Sequence, residues 1–302
     1  GREGWGECAP LPQLSVDDLP DYEGVLRGIC AEVARTGQVD TERWREYPSM
    51  LFGLETALHH LERGTYALWD TPFSRGEEGI CINGLIWMGD HDAMYRQIRE
   101  KLEAGFRCVK LKIGAIGFEE ELDLLRFIRR HFPAREVELR VDANGAFAPA
   151  EALDKLKRLA ELDLHSIEQP IRAGQWDEMA GLTSVSPLPV AFDEELIGQC
   201  SLEAKRRLLD ALHPQYIVLK PSLHGGFSGC REWIEEAEKR NVGWWITSAL
   251  ESNVGLNAIA QWCATWHTRM PQGLGTGMLF TDNVPMPLEI RKDCLWYVAD
   301  GD

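Results

Sequence analysis

From residue 80 onward the chain alternates between two rhythms: short runs rich in β-branched and aromatic residues, and longer stretches with apolar residues at helical spacing. The runs predict strands over Ile82–Trp87, Cys108–Ile113, Glu138–Asp142, Ser166–Glu168, Val190–Asp193, Tyr216–Lys220, Trp244–Thr247 and, with the weakest pattern, Leu274–Thr276. Between them the spacing predicts helices over Asp92–Ala104, Glu119–Arg130, Pro149–Ala160, Trp176–Leu182, Ser201–Ala211, Gly229–Arg240 and Leu256–Trp266, with Pro149 and Ser201 as start signals. Strands that alternate with helices in this way predict an α/β fold, a (β/α)8-type barrel rather than an open doubly wound sheet. Gly225-Gly226 and Gly273-x-Gly275-x-Gly277 lack the strand, helix and acidic residue that would make either a phosphate-binding fingerprint.

Residues 1–79 do not share the cadence. They carry Pro10 and Pro12 and then helix-like runs over Tyr22–Arg35 and Ser49–Arg63, which predicts part of a small α+β capping domain. Residues 80–285 form the predicted barrel. Residues 286–302, with strand-like Leu288–Arg291 and Leu295–Val298, are expected to return to the cap.

Composition narrows the function classes. The 302 residues are 44% apolar, enough for a sizeable core, and the net charge of −16 excludes nucleic acid and anionic membrane as partners. No apolar run is long enough to span a bilayer, and the eight cysteines, scattered without a C-x-x-C pair or zinc spacing, read as reduced thiols. The expectation is a soluble cytoplasmic enzyme with a small-molecule carboxylate substrate; the pattern carries no reading of oligomeric state.

The charged residues at the strand ends keep the same beat. Asp142 to Glu168 is 26 residues, Glu168 to Asp193 is 25, Asp193 to Lys220 is 27 and Lys220 to Ser248 is 28. Each interval is one βα unit, so these side chains meet at the C-terminal mouth of the barrel, where such folds place their chemistry. Strand alternation turns Lys110 and Lys112 inward together, and likewise Arg140 and Asp142. A single strand-end acid is usually a cap or loop residue; three on consecutive strands repel unless a cation bridges them. All-oxygen ligation by Asp142, Glu168 and Asp193 selects a hard ion, Mg2+ or Mn2+. Glu194, next to Asp193, is a competing third ligand or a partner of Lys220. Lys112 and Lys220 face each other across the mouth, on the second and sixth strands of eight. A metal, Lys110 and Arg140 would disfavour the protonated form of a catalytic lysine, which suits proton removal beside a carboxylate.

At these residues the sequence resembles the enolase superfamily, in the branch with lysines on strands two and six, and more narrowly the o-succinylbenzoate synthases. The resemblance runs through Gly4-Trp5-Gly6-Glu7-Cys8-Ala9-Pro10-Leu11-Pro12, Lys110-Leu111-Lys112, Arg140-Val141-Asp142-Ala143-Asn144, Ile167-Glu168-Gln169-Pro170, Phe192-Asp193-Glu194, Leu219-Lys220-Pro221, Ser248-Ala249-Leu250-Glu251-Ser252 and Gly273-Leu274-Gly275-Thr276-Gly277. It implies syn dehydration of 2-succinyl-6-hydroxy-2,4-cyclohexadiene-1-carboxylate to 2-succinylbenzoate in menaquinone synthesis. It also implies that Lys112 takes the α-proton and then protonates the departing hydroxyl, while Lys220 stabilises the enediolate. Members of the family carry further cap strands and a substrate-covering loop before the stretch that matches Gly4–Cys8, so this sequence names no lid residues.

Ser248, Gly275, Thr276 and Gly277 would bind the succinyl tail or form a tight turn at the rim; Asn144 is a further substrate or support residue. Gly275-Thr276-Gly277 stands where dipeptide epimerases place an Asp-x-Asp, which argues against dipeptides. Two other readings remain. The first is an N-acylamino acid racemase or dipeptide epimerase on the same scaffold, which the residues around the lysines do not separate from the dehydratase. The second is a catalytically silent barrel, which predicts loss of a charged position.

Overall fold

The computed structural model describes residues 3–298; the outermost residues of the first and last expected segments, 1–2 and 299–302, lie outside it. Two helices come first, α1 (Tyr22–Thr36) and α2 (Pro48–Arg63), followed by a short strand β1 (Ile80–Cys81). The barrel then runs β2 (Gly84–Ile86), α3 (His91–Glu103), β3 (Cys108–Lys112), α4 (Phe118–His131), β4 (Glu138–Asp142), α5 (Pro149–Ala160), β5 (Ser166–Glu168), α6 (Trp176–Val185), β6 (Val190–Phe192), α7 (Leu202–Leu212), β7 (Tyr216–Leu219), α8 (Gly226–Glu238), β8 (Gly243–Ile246) and α9 (Asn253–Cys263). A hairpin, β9 (Leu288–Arg291) and β10 (Cys294–Tyr297), ends the fold.

β2 to β8 form one parallel sheet in chain order, each strand hydrogen-bonded to the next. The predicted eighth strand over Leu274–Thr276 is not a strand. Instead Gln272 and Gly273, two residues earlier, make single parallel bridges to Ile82 and Thr247 and link the two ends of the sheet. A Cβ on Gly273 would lie 2.1 Å from Thr247 Oγ1, so this closure needs glycine. Buried Gln272 completes the ladder with its side chain: Oε1 accepts from the Ile246 amide at 2.7 Å. Chain after Gly275 turns into a 3-10 segment, Thr276–Leu279, which is why no strand pattern continues there.

The helices start where local chemistry dictates. Asp90 and Ser201 accept from the Ala93 and Ala204 amides, at 2.8 and 3.1 Å, and Pro149 opens α5. α6 extends to Val185, three residues beyond the predicted end, because Leu182 still packs on the core and nothing breaks the helix before Ser186-Pro187. α8 starts earlier than expected, at Gly226, since its N-terminus is capped from a distant segment.

That cap is Glu55, on α2. Its carboxylate accepts from the Phe227 amide at 2.6 Å and the Ser228 amide at 3.2 Å, satisfying two orphan donors of α8. Phe52, Trp69 and Trp262 close around Phe227, with ring centroids 5.2 to 5.3 Å away, and fix α2 against the barrel. Asp17 caps α2 in the same way, accepting from Ser49 N at 2.8 Å. The terminal hairpin pairs through β10 with β1 at the entry to the barrel, and Tyr297 packs on Phe73.

Burial pushes the Glu55 carboxyl up to about 7 despite the amides that favour its charge. Its folded-state value therefore lies above the unfolded one, and between the two the folded protein keeps a proton that the unfolded chain has released. Stability from this group is full at lower pH and falls by about 3 kcal/mol as pH rises toward 7, at ~1.4 kcal/mol per unit. Glu55→Gln removes that slope. Urea midpoints measured at about pH 5 and about pH 7.5 should fall with pH in the native protein and fall markedly less in the variant; an equal fall in both would contradict it.

Candidate active site

The mouth is assembled by strand register. Lys112 on β3 stands opposite Asp142 on β4, which stands opposite Glu168 on β5; one layer below, Lys110 pairs with Arg140 and Arg140 with Ser166. Because inward residues recur every second position, this register brings Lys110, Lys112, Asp142 and Glu168 to one interior. Asp193 follows β6 and Lys220 follows β7. None of these six side chains is more than 14% exposed.

The charges interlock. Lys110 Nζ donates to Glu168 Oε2 at 2.9 Å and Asp142 Oδ2 at 3.2 Å. Lys112 Nζ donates to Asp142 Oδ2 and, at 2.8 Å, to Asn144 Oδ1. Asn144 Nδ2 in turn donates to Glu194 Oε1 at 2.7 Å, and Lys220 Nζ is bonded to Asp193 Oδ2. Glu194 therefore touches Asn144 rather than Lys220, whose direct partner is Asp193.

Each carboxyl responds to its own neighbours. Burial would raise the Asp142 carboxyl, but the Lys112 and Lys110 ammoniums outweigh it and hold Asp142 far below the usual range. Burial and the adjacent Asp142 charge push Glu168 well up. Asp193 is lowered: burial opposes, and Lys220 prevails. Glu194 is pushed up to about 6 by burial and by Asp193. Two of the lysines respond to the acids around them. Burial alone would lower Lys110 and Lys220, yet Glu168 and Asp142 around the first, and Asp193, Glu168 and Glu194 around the second, hold both amines above their ordinary value.

Arg140 is not at the mouth. It lies one layer deeper, because a residue two positions back along a strand sits ~7 Å below. There its Nε donates to Glu138 at 2.7 Å, an η nitrogen donates to Pro271 O at 3.0 Å, and the guanidinium stacks over Trp245 at 4.4 Å. It braces the base of the barrel.

A divalent cation fits the donor set. Glu168 Oε1 and Asp193 Oδ1 are buried without a hydrogen-bond partner, beside Asp142, and all three supply hard carboxylate oxygens. Among the described residues no three Asp, Glu, His or Cys side chains are already drawn into a closed ligand cluster; the lysine ammoniums stand between the acids instead.

Around the charges lies a cavity of about 160 Å³ lined by, among others, Asn83, Trp87, Lys112, Lys220, Ser248 and Thr276. Ser248 and Thr276 join hydroxyl to hydroxyl, and Ser248 N donates to Gly273 O at 3.1 Å. Gly275 also lines the cavity. Gly277 does not: it packs on α9, where a Cβ would meet Asn253 Oδ1 at 2.7 Å.

Several supports were invisible to pattern reading. Gln169, held at φ +41, uses its whole amide: Oε1 accepts from the Asp193 and Glu195 amides at 3.3 and 3.1 Å, and Nε2 donates to Ile171 O and Glu195 Oε2. It fixes the Asp193 backbone relative to Glu168. His224 accepts from the Lys220 amide through Nδ1 at 2.9 Å, and burial pushes it down to about 3, so it is neutral with its proton on Nε2. Glu7 accepts from the Ser252 and Gly255 amides, both at 2.8 Å, which docks the first segment on α9 and lets Leu11 and Leu14 line the mouth. The Gly4–Pro12 stretch was legible as a motif, but not its capping role.

Comparisons with known proteins agree with this architecture. The family described as "Enolase C-terminal domain-like" matches residues 93–297. An o-succinylbenzoate synthase of Desulfotalea psychrophila is 53% identical over 274 residues, covering 90% of this chain and 73% of that protein. The crystal structure of MenC from the same organism superposes with a TM-score of 0.85 at 45% identity, covering 98% of this chain and 91% of that one. An L-Ala-D/L-amino acid epimerase of a Maribacter species is similar at 27% identity over 86% of this chain and 76% of its own length, so the epimerase reading is the weaker one. The chain belongs to the o-succinylbenzoate synthase family of the enolase superfamily.

Proposed function

We propose that this protein catalyses the Mg2+-dependent syn dehydration of 2-succinyl-6-hydroxy-2,4-cyclohexadiene-1-carboxylate to 2-succinylbenzoate, a step of menaquinone biosynthesis. Enzymes of this superfamily use a divalent metal ion; here Asp142, Glu168 and Asp193 would hold it, with Mg2+ as the first choice and Mn2+ as the alternative. When bound, it supplies a Lewis acid for the substrate carboxylate. No helix among the described residues is long and apolar enough to cross a membrane, which is compatible with a cytoplasmic site of action.

The observation that carries the reading is the opposed pair of lysines with unlike surroundings. Lys220 is anchored on Asp193 and held protonated, so it serves as a standing cation toward negative charge that develops on the substrate carboxylate as the α-proton leaves. Lys112 is held by Asp142 and by the neutral Asn144 carbonyl, which together aim its amine. As a neutral amine it takes the α-proton; as the resulting ammonium it returns that proton to the hydroxyl leaving from the same face, and water departs. Proton count is balanced, and aromatisation drives the second half. Lys110 keeps Glu168 and Asp142 compensated. Ser248, Gly275 and Thr276 line the same cavity as the two lysines and are assigned to the succinyl arm.

Purified protein with Mg2+ and the cyclohexadiene acid should yield the aromatic product, followed by absorbance, and chelator should abolish the reaction. No turnover, alongside racemisation of N-succinylamino acids, would overturn the assignment in favour of the racemase.

Arginine substitutions separate the two lysines. Arg keeps the charge that each buried carboxylate needs but does not lose its proton. Lys112→Arg should lower kcat by ~10³ or more with the fold intact by circular dichroism, whereas Lys220→Arg should retain a measurable fraction of activity. Equal loss in both would point to two acid–base lysines, the pattern of a racemase.

A further inference from the structure

The eight cysteines are scattered in sequence, yet the fold brings two of them together outside the mouth. Cys81 on β1 and Cys294 on β10 are register partners in an antiparallel pair, with their sulfurs 3.5 Å apart across 213 residues of chain. The Ile82 amide donates to Asp293 O, so the bond flanks the cysteine pair rather than joining it. That makes Cys81 and Cys294 a non-hydrogen-bonded pair, the position where opposed Cα atoms lie closest, ~4.5 Å apart, and side chains stand side by side. This spacing falls within the range a disulfide spans, ~4.4 to 6.8 Å. Both thiols are free, Cys81 is exposed and Cys294 half-buried.

We propose that Cys81 and Cys294 form a modification site, a dithiol that closes to a disulfide by exchange with a low-molecular-weight disulfide such as glutathione disulfide. The exposed Cys81 thiolate attacks one sulfur of the reagent and expels one glutathione thiolate. Cys294, whose proton passes to solvent, then attacks the Cys81 sulfur of the mixed disulfide and expels the second. Two protein thiols are oxidised and one disulfide is reduced to two glutathione thiols. Burial and then its hydrogen bond with Cys81 push Cys294 up to about 12, which leaves Cys81 as the residue that meets the reagent first.

The bond would join the strand by which the chain enters the barrel to the hairpin that ends the fold, at the base of the barrel and away from Lys112 and Lys220. Closing so long a loop restricts the unfolded chain more than the folded one, so the oxidised protein resists unfolding. In a reducing compartment the pair stays open. The lock acts on stability and does not depend on the activity assigned above.

Incubation of the full chain with glutathione disulfide, followed by digestion without reductant, should yield one cross-linked peptide pair holding Cys81 and Cys294. Titratable thiols in denatured protein should fall from eight to six, and the thermal midpoint should rise by several degrees and return with dithiothreitol. In Cys294→Ser the reaction should stop at a glutathione adduct on Cys81 with no such rise. A stable glutathione adduct on Cys81 beside a free Cys294 in the native protein would overturn the proposal, as would cross-linking of other cysteines while this pair stays reduced.

Discussion

Three ammonium groups and three carboxylates share the interior of one barrel mouth, and neither set could be buried there without the other. An unpaired buried charge costs several kcal/mol, and removing one partner of such a pair typically costs 3–5 kcal/mol. Lys110, Lys112 and Lys220 pair directly with Asp142, Glu168 and Asp193. The compensation depends on register: Lys112 opposite Asp142 opposite Glu168 holds only if β3, β4 and β5 pair without slipping. A slip of one residue would turn the charges into the apolar layer under the helices and bring Leu111 and Val141 into the mouth. The charge network and the alignment of the sheet therefore constrain each other.

The supports around that network extend the same logic to the cap. Carboxylates from the first 60 residues cap helices that they do not belong to: Glu7 sits on α9, Glu55 on α8, and Asp17 on α2. A helix N-terminus carries unsatisfied amides and a partial positive charge, so an acid from another segment both satisfies donors and fixes the angle at which that segment docks. Glu7 is the consequential one, since the segment it anchors contributes Leu11 and Leu14 to the cavity wall.

Most of the barrel and the principal charged residues were legible because both follow short-range rules. β4, β5 and α5 begin and end at the predicted residues, where period-two alternation or a proline start defined them. The interval of 25 to 27 residues between strand-end charges translated directly into convergence at one mouth. What escaped depends on contacts across long sequence separation. The ring closes through Gln272 and Gly273, whose role comes from Thr247 and Ile246 rather than from any strand propensity of their own. Arg140 shared the face of Asp142 in the alternation pattern, but alternation gives direction without depth, and the arginine belongs to the layer with Trp245. Gln169 stood in a family motif without a role and His224 in none; the importance of both lies in the backbone amides they meet, 24 and 4 residues away.

The two opposed lysines illustrate how one side-chain type is given two proposed roles by its surroundings. A carboxylate pairs with each, so charge alone does not distinguish them. The difference lies in the second partner. Lys220 has its backbone amide pinned by the neutral ring of His224, and its ammonium faces the fields of Glu168 and Glu194 in addition to Asp193, which fixes it in the charged state. Lys112 has an amide oxygen as its second partner, and that amide is tied on its other side to Glu194, so the lysine is aimed by a neutral group. Asn144 itself is held in the left-handed region at φ +44, with its amide on Asp142 Oδ1 at 3.0 Å, so the residue that orients Lys112 is fixed by the same acid that pairs with it. An amine that must both take and return a proton needs direction more than charge; one that must only stabilise an anion needs the reverse.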